Sequence, residues 1–184
     1  MAIRGLKGEV LAMSLAVSCV GLVGCASGPP ARAAKSDFNG TWSAKWCDPG
    51  YPEAQCGNFV LHLVQKGERV CGQHVAATPR LSKLEEGEPG SVLGTSVGDA
   101  AVLLVDNARS GERNLVVVTF TPAGLHWHVV GVAVPGERPW NSIIGGEWVL
   151  SKDTSEDASS AWRAMKESPC QWPDEMSHKD SESP

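Results

Sequence analysis

Residues 113–134 read RNLVVVTFTPAGLHWHVVGVAV, two apolar runs on either side of a Pro-Ala-Gly turn. In the second run, Leu125 and Trp127 alternate with His126 and His128, which is the period of two expected for a β-strand. A tight turn between two such runs predicts an antiparallel hairpin. The first run is apolar on both faces, so we expect it to be covered from outside as well as from inside.

The same pattern of a short β-branched run followed by a turn recurs along the chain. Because helical periodicity is almost absent, the runs predict an antiparallel meander, which loses its exposed edges most simply by closing into a barrel. A sandwich or an open half-barrel is the alternative. The eight predicted strands are residues 40–46, 58–65, 69–77, 91–97, 100–106, 113–120, 124–134 and 144–150.

One helix is predicted near the C-terminus, across the barrel wall or one mouth. Residues 154–157 (TSED) resemble a helix-capping sequence, and residues 158–167 favour helix. Trp162 and Met165 are three apart and are expected to form its apolar contact. The sequence therefore predicts an all-β fold, an eight-stranded antiparallel up-and-down barrel with a short C-terminal helix.

The N-terminus has the pattern of an export signal. Arg4 and Lys7 precede an uncharged, mostly apolar stretch, residues 10–23. That stretch closes with Leu22-Val23-Gly24-Cys25, which resembles the bacterial lipobox. A plain secretory peptide cut elsewhere, or an uncleaved anchor, is the alternative.

The lipobox resemblance implies a lipid-anchored protein. Residues 1–24 would be removed as the signal peptide, and Cys25 would become the lipidated first residue, attached to a membrane by its acyl chains. Ala26 stands where an Asp would retain such a protein at the inner membrane. The resemblance therefore implies the outer membrane, facing the periplasm.

The mature chain divides into three parts. Residues 25–36 are small and Pro-containing, which is typical of a flexible tether. Residues 37–172 hold the predicted barrel and helix. Residues 173–184 are polar, charged and unpatterned, which predicts a disordered tail.

A second resemblance concerns the first strand. Gly40-Thr41-Trp42, eight strands and a C-terminal helix resemble the calycin superfamily, the lipocalins and their barrel relatives. In that family the Gly-x-Trp places an indole at the closed base of the barrel.

Four cysteines remain after Cys19 and Cys25 are set aside, and an exported chain favours disulfides between them. Cys47 and Cys56 flank a short Pro/Gly-rich loop and are easily closed, which leaves Cys71 with Cys170. Four cysteines allow three connectivities. A zinc site is the alternative, although the spacing lacks a C-x₂-C pair.

Tryptophan is unusually frequent, with seven Trp against one Tyr and three Phe. Trp42, Trp127 and Trp148 alternate with polar or small residues in three strands, so all three could face one interior. The expectation is either a filled core or an aromatic-lined cavity for a small apolar ligand. Trp140, in a Pro/Gly loop, is a candidate rim or contact residue, or else a loop anchor.

No motif predicts catalysis, a metal or a cofactor. Ser96 matches G-x-S-x-G by letter, but a strand rather than a helix follows it, so a nucleophile elbow is not expected. His126 and His128 are expected on the outer wall, and no third ligand can be placed beside them. The acidic turn Glu85-Glu86-Gly87-Glu88 is expected to be a solvated loop. The net charge of −5 argues against nucleic acid.

The sequence therefore predicts a lipid-anchored, non-catalytic binding module of the envelope. Its partner would be a small apolar ligand or a periplasmic protein. The alternatives are a structural envelope lipoprotein with a filled core, or an inhibitor of a wall-degrading enzyme, since lysozyme inhibitors of the bacterial envelope are likewise small barrels on lipoprotein anchors.

Overall fold

The computed structural model describes residues 36–50, 55–137, 142–144, 146–167 and 170. Nine strands, one α-helix and one short 3₁₀ helix (Pro79–Leu81) make up the described fold, and no described helix is long and apolar enough to cross a membrane. In chain order the elements are β1 (Gly40–Trp46), β2 (Gly57–Lys66), β3 (Arg69–Ala77), β4 (Leu84–Glu86), β5 (Val92–Val97), β6 (Ala100–Asp106), β7 (Arg113–Thr121), β8 (Gly124–Val134), β9 (Glu147–Asp153) and α1 (Glu156–Glu167).

Eight of the strands close into an antiparallel up-and-down barrel. Each long strand pairs with the next along the chain, and β9 returns to pair with β1, with Thr41 opposite Asp153. The short β4 pairs only with the end of β3, outside the ring. The closed ring confirms the predicted barrel and rules out the sandwich and the half-barrel.

The two ends of the barrel differ. One end, the base, has the tight turns at residues 67–68, 98–99 and 122–123; the opposite end, the mouth, has the longer connections. The segment before β1 closes the base, because Phe38 is fully buried and packs on Phe120 with ring centroids 4.7 Å apart.

The interior is built from the inward-facing residues of every long strand. Alternation along a strand sends one set of side chains inward and the next outward, so the buried set repeats with a period of two. Trp127 and Phe59 meet edge to face, 4.9 Å apart. The fully buried inward set includes Phe59, Leu61, Leu63, Val70, Val92, Leu103, Val105, Val116, Val118, Leu125, Trp127 and Leu150.

Helix α1 covers the outer wall formed by β1, β2 and β3. Ser155 caps its first turn, because the Ala158 N–H donates to Ser155 Oγ at 3.3 Å. The Trp162 indole N–H donates to the Leu63 carbonyl at 2.6 Å, and Met165 packs in a buried cluster with Val64. The helix therefore lies on the wall, the first of the two predicted positions.

Two details differ from the prediction. The last strand was expected at 144–150 and lies at 147–153, because Ser151, Lys152 and Asp153 pair with β1 although they are polar. Ile144, 1% exposed, instead belongs to a buried mouth segment. The second difference is β4, which the prediction did not contain.

Candidate functional site

The four cysteines form the two predicted disulfides. Cys47 is bonded to Cys56 across the loop after β1, and Cys71 is bonded to Cys170 beyond α1. The second bond fixes the C-terminal segment to the wall that α1 covers. Their pairing leaves no thiolate among them to ligate zinc. Cys25, the predicted lipidation site, lies outside the described residues.

Three of the four predicted ligand-binding tryptophans are described, and they occupy different environments. Trp42 is 4% exposed and lies at the base, where the Gly-x-Trp resemblance placed it, with its Nε1–H donating to the Phe38 carbonyl at 3.0 Å. Trp127 is fully buried. Trp148 is half-buried and stacks on Trp46 at the mouth, with centroids 4.6 Å apart. Trp140 lies outside the described residues.

Each of these tryptophans packs against a neighbouring aromatic ring. Trp42 contacts Phe120 and Trp127 contacts Phe59, both edge to face. An open depression of about 390 Å³ lies on the described surface beside the base, and polar residues contribute most of its lining. Its lining residues are Ser36, Asp37, Asn39, Gln65 and Gly67.

The two histidines of β8 lie on the outer wall, as expected. Their rings are 6.5 Å apart, and His126 Nε2 lies 2.9 Å from Glu147 Oε1. Sequence reasoning did not place Glu147 there, because the contact follows from the pairing of β8 with β9. No group of three metal-ligating side chains occurs among the described residues.

Ser96 lies in β5 and is 2% exposed. Its hydroxyl donates to the Glu68 carbonyl at 3.3 Å and accepts from Gln65 Nε2 at 2.9 Å. A turn and β6 follow it, so the strand-to-helix geometry of a nucleophile elbow is missing at this position. The hydroxyl instead stabilises the base of the barrel.

Glu85 is the clearest correction to the sequence analysis. It was expected in a solvated acidic loop, but its side chain is fully buried in β4, and so is that of His74 on β3. Glu85 Oε2 accepts the Ile143 N–H at 3.1 Å. This hydrogen bond from the buried Glu85 side chain holds the mouth segment, residues 142–144, against the barrel.

The outer wall of β6–β9, opposite α1, is the main exposed apolar surface. We call it the valine wall: Val102, Leu104, Val130, Val134 and Val149 are each between 37% and 53% exposed, and Leu115 and Val117 of β7 lie half-buried among them. Contrary to expectation, the outward side of β7 is left uncovered, since its neighbours on both sides remain exposed.

Two pairs of polar contacts involve charged side chains on the valine wall. Arg113 Nη2 donates to Asp106 Oδ2 at 3.0 Å, and this hydrogen bond raises the pKa of Arg113. The second pair is His126 with Glu147. Contiguous exposed apolar surface of this kind is typical of protein-protein or membrane contact sites.

Comparison with known proteins gives no family. No family model matches the chain, and neither a curated protein nor a solved structure matches it significantly. The class defined by the fold is a closed, disulfide-bonded eight-stranded barrel with one wall-covering helix.

Proposed function

We propose that the protein is a lipid-anchored, non-catalytic binding module of the cell envelope that contacts an envelope protein through the valine wall. The observation that supports this most is the contrast between the two candidate surfaces. The interior tryptophans are packed against aromatic neighbours, whereas Val130 and Val149 of the wall are 53% and 48% exposed. A carrier of a small apolar ligand would instead need interior tryptophans that line an open cavity.

The chemistry of the wall defines the partner. Its charged groups already have hydrogen-bond partners, so a partner with a strongly charged face would have to desolvate those contacts. A flat, weakly charged surface rich in aliphatic or aromatic side chains fits it best. The partner would therefore be an envelope protein with its own exposed apolar patch.

The anchor is the second part of the proposal. Lipid on Cys25 and the tether up to residue 36 would hold the barrel close to the outer membrane on its periplasmic side. Radioactive palmitate fed to cells should label the wild-type protein and leave Cys25→Ser unlabelled. Equal labelling of both would contradict the lipobox interpretation.

The wall can be tested by site-specific photo-crosslinking in the envelope. A photoreactive residue at Val102 should crosslink to one defined partner, and the added substitution Leu104→Lys, on the same face of β6, should abolish that adduct. Purified partner mixed with the protein that carries only the photoreactive residue should reproduce the crosslink in vitro. The matched control position is Leu81, which is 72% exposed and lies in the connection between β3 and β4, off the wall.

Three outcomes would contradict a protein-binding wall. The first is an equal yield from Leu81 and Val102, and the second is an adduct that survives Leu104→Lys. The third is the absence of any adduct at Val102, which would favour the structural lipoprotein. If the crosslinked partner proves to be a wall-degrading enzyme that the protein inhibits, the inhibitor alternative would be correct.

A further inference from the structure

Two histidines lie among the apolar side chains of the valine wall. His126 and His128 are two residues apart on β8, and their rings lie on the same outer face, 6.5 Å apart. In the sheet pairing His126 is opposite Val149 of β9. His128 is opposite Val117 of β7. A partner that covers these two valines would therefore also cover both imidazole rings.

One carboxylate faces the two rings. Glu147 of β9 is opposite His128 in the sheet pairing, and its Oε1 lies 2.9 Å from His126 Nε2. On the other side of β8, the residues of β7 that pair with the two histidines are Val117 and Thr119, which are uncharged. Glu147 is therefore the group that can balance a positive charge on these rings.

Other charged groups around the histidines do not balance a second positive charge. Arg113 and Asp106, towards the mouth, are bonded to each other. Lys45, exposed on β1 beyond β9, is itself a cation. Histidine is the side chain whose charge changes between about pH 5 and 8. Acidification therefore places two imidazolium groups beside the one carboxylate that faces them in the described part of the chain.

The two charge states give the wall different chemistry. A neutral imidazole presents an apolar body with a polar tip, which suits an apolar partner. A protonated ring without a counterion must leave water at a cost that an apolar face does not offset. Glu147 balances one ring at most, so the second positive charge opposes docking.

We propose that docking on the valine wall is pH-dependent: the wall binds its partner when His126 and His128 are neutral, and releases it when both are protonated. This inference rests on the proposed function, because it concerns the same surface. It adds the condition under which that surface is open to an apolar partner.

The photoreactive residue at Val102 is the probe for this dependence. Envelope preparations from cells that make the full chain are buffered at about pH 7.5 or 5.5 and illuminated. With both histidines present, the adduct should fall at least about fivefold at the lower pH, because binding requires that protons leave both rings. With His126→Gln and His128→Gln together, the fall should be less than about twofold, since Gln carries no charge at either pH.

His62→Asn is the matched control. His62 is buried beneath α1 on the opposite wall, so this variant should keep the full fall in adduct. A fall that His62→Asn removes would come from acid destabilisation of the barrel and would overturn the inference. An adduct that the double Gln variant loses at both pH values would overturn it as well, because the rings would then be contacts and not switches.

The failure of this inference is distinguishable from the failure of the proposed function. Absence of any adduct at Val102 at both pH values contradicts the docking wall, and this inference with it. A strong adduct of equal yield at both pH values contradicts the pH dependence alone.

Discussion

Thr41 Oγ1 lies 2.8 Å from His62 Nδ1 and 3.0 Å from the Ala158 carbonyl oxygen, and all three groups are buried. The hydroxyl has one proton, which it donates to the carbonyl. Nδ1 of His62 must therefore carry a proton and donate it to Thr41. This short chain of hydrogen bonds joins β1, β2 and the first turn of α1.

The burial of His62 predicts a pH-dependent stability. Burial lowers the pKa of His62 from its ordinary value of 6.5, and Asp153 opposes this only partly. The unfolded chain then binds a proton more readily than the folded protein, so the contribution of His62 is complete above about pH 6.5 and is lost as the pH falls below it.

His62→Asn is the variant that tests this, because the Asn amide can still donate to Thr41 while no longer titrating. Thermal melts between about pH 7.5 and 5 should show a smaller loss of stability on acidification for the variant than for the wild type. Identical pH slopes for the two proteins would contradict the assignment.

The two disulfides are expected to contribute unequally. Cys71 and Cys170 are separated by 99 residues, whereas Cys47 and Cys56 are separated by 9. On the chain-entropy account the long loop is worth about 4–5 kcal/mol and the short loop about 2–3 kcal/mol. Denaturant titration of the two paired Cys→Ala variants should rank them in that order. The opposite ranking would show that loop-closure entropy does not decide how much each disulfide stabilises the fold.

Gly57 should not tolerate even a methyl group. A Cβ there would lie 2.4 Å from Trp46 Nε1 and 2.5 Å from the Ala77 carbonyl oxygen. Gly57→Ala should therefore cost about 1–3 kcal/mol through overpacking. Gly131→Ala is the control, since nothing lies within 4 Å of its Cβ position. Equal melting temperatures for the two variants would contradict the close packing at the mouth.

Phe38 makes the segment before β1 part of the fold. Phe38→Ala should lower the free energy of unfolding by about 3–5 kcal/mol, because the ring is fully buried at the base. Leu81→Ala, at a position 72% exposed, should have almost no effect. Chemical denaturation measures the free energy of unfolding of both variants. A Phe38→Ala variant about as stable as the wild type would mean that the segment before β1 contributes little to the stability of the barrel.

Much of the barrel was predictable because its signals are local. The alternation of Trp42, Ala44 and Trp46 gives the inward face of β1 directly, and the turn residues give the hairpins. The capping sequence before α1 is equally local. Closure of the barrel was inferred because an open sheet would leave two edge strands with unpaired backbone groups. The pairing of Thr41 with Asp153 confirms this closure.

The features that were missed depend on contacts between distant residues. Three glutamates around one glycine are typical of a solvent-exposed loop. No neighbouring residue in the sequence indicates that Glu85 contacts His74 and Ile143. The valine wall was missed for a related reason. Apolar residues on both faces of β7 indicate burial on both sides, whereas the covering helix lies on the opposite wall.

The pairing of Thr41 with Asp153 has a consequence for how the molecule is made. A growing polypeptide that stops before β9 has strand edges on both β1 and β8 that no later part of it can satisfy, and such edges recruit other chains. The barrel therefore cannot close until β9 has been synthesised. Prematurely terminated products should accumulate as insoluble material rather than as smaller barrels.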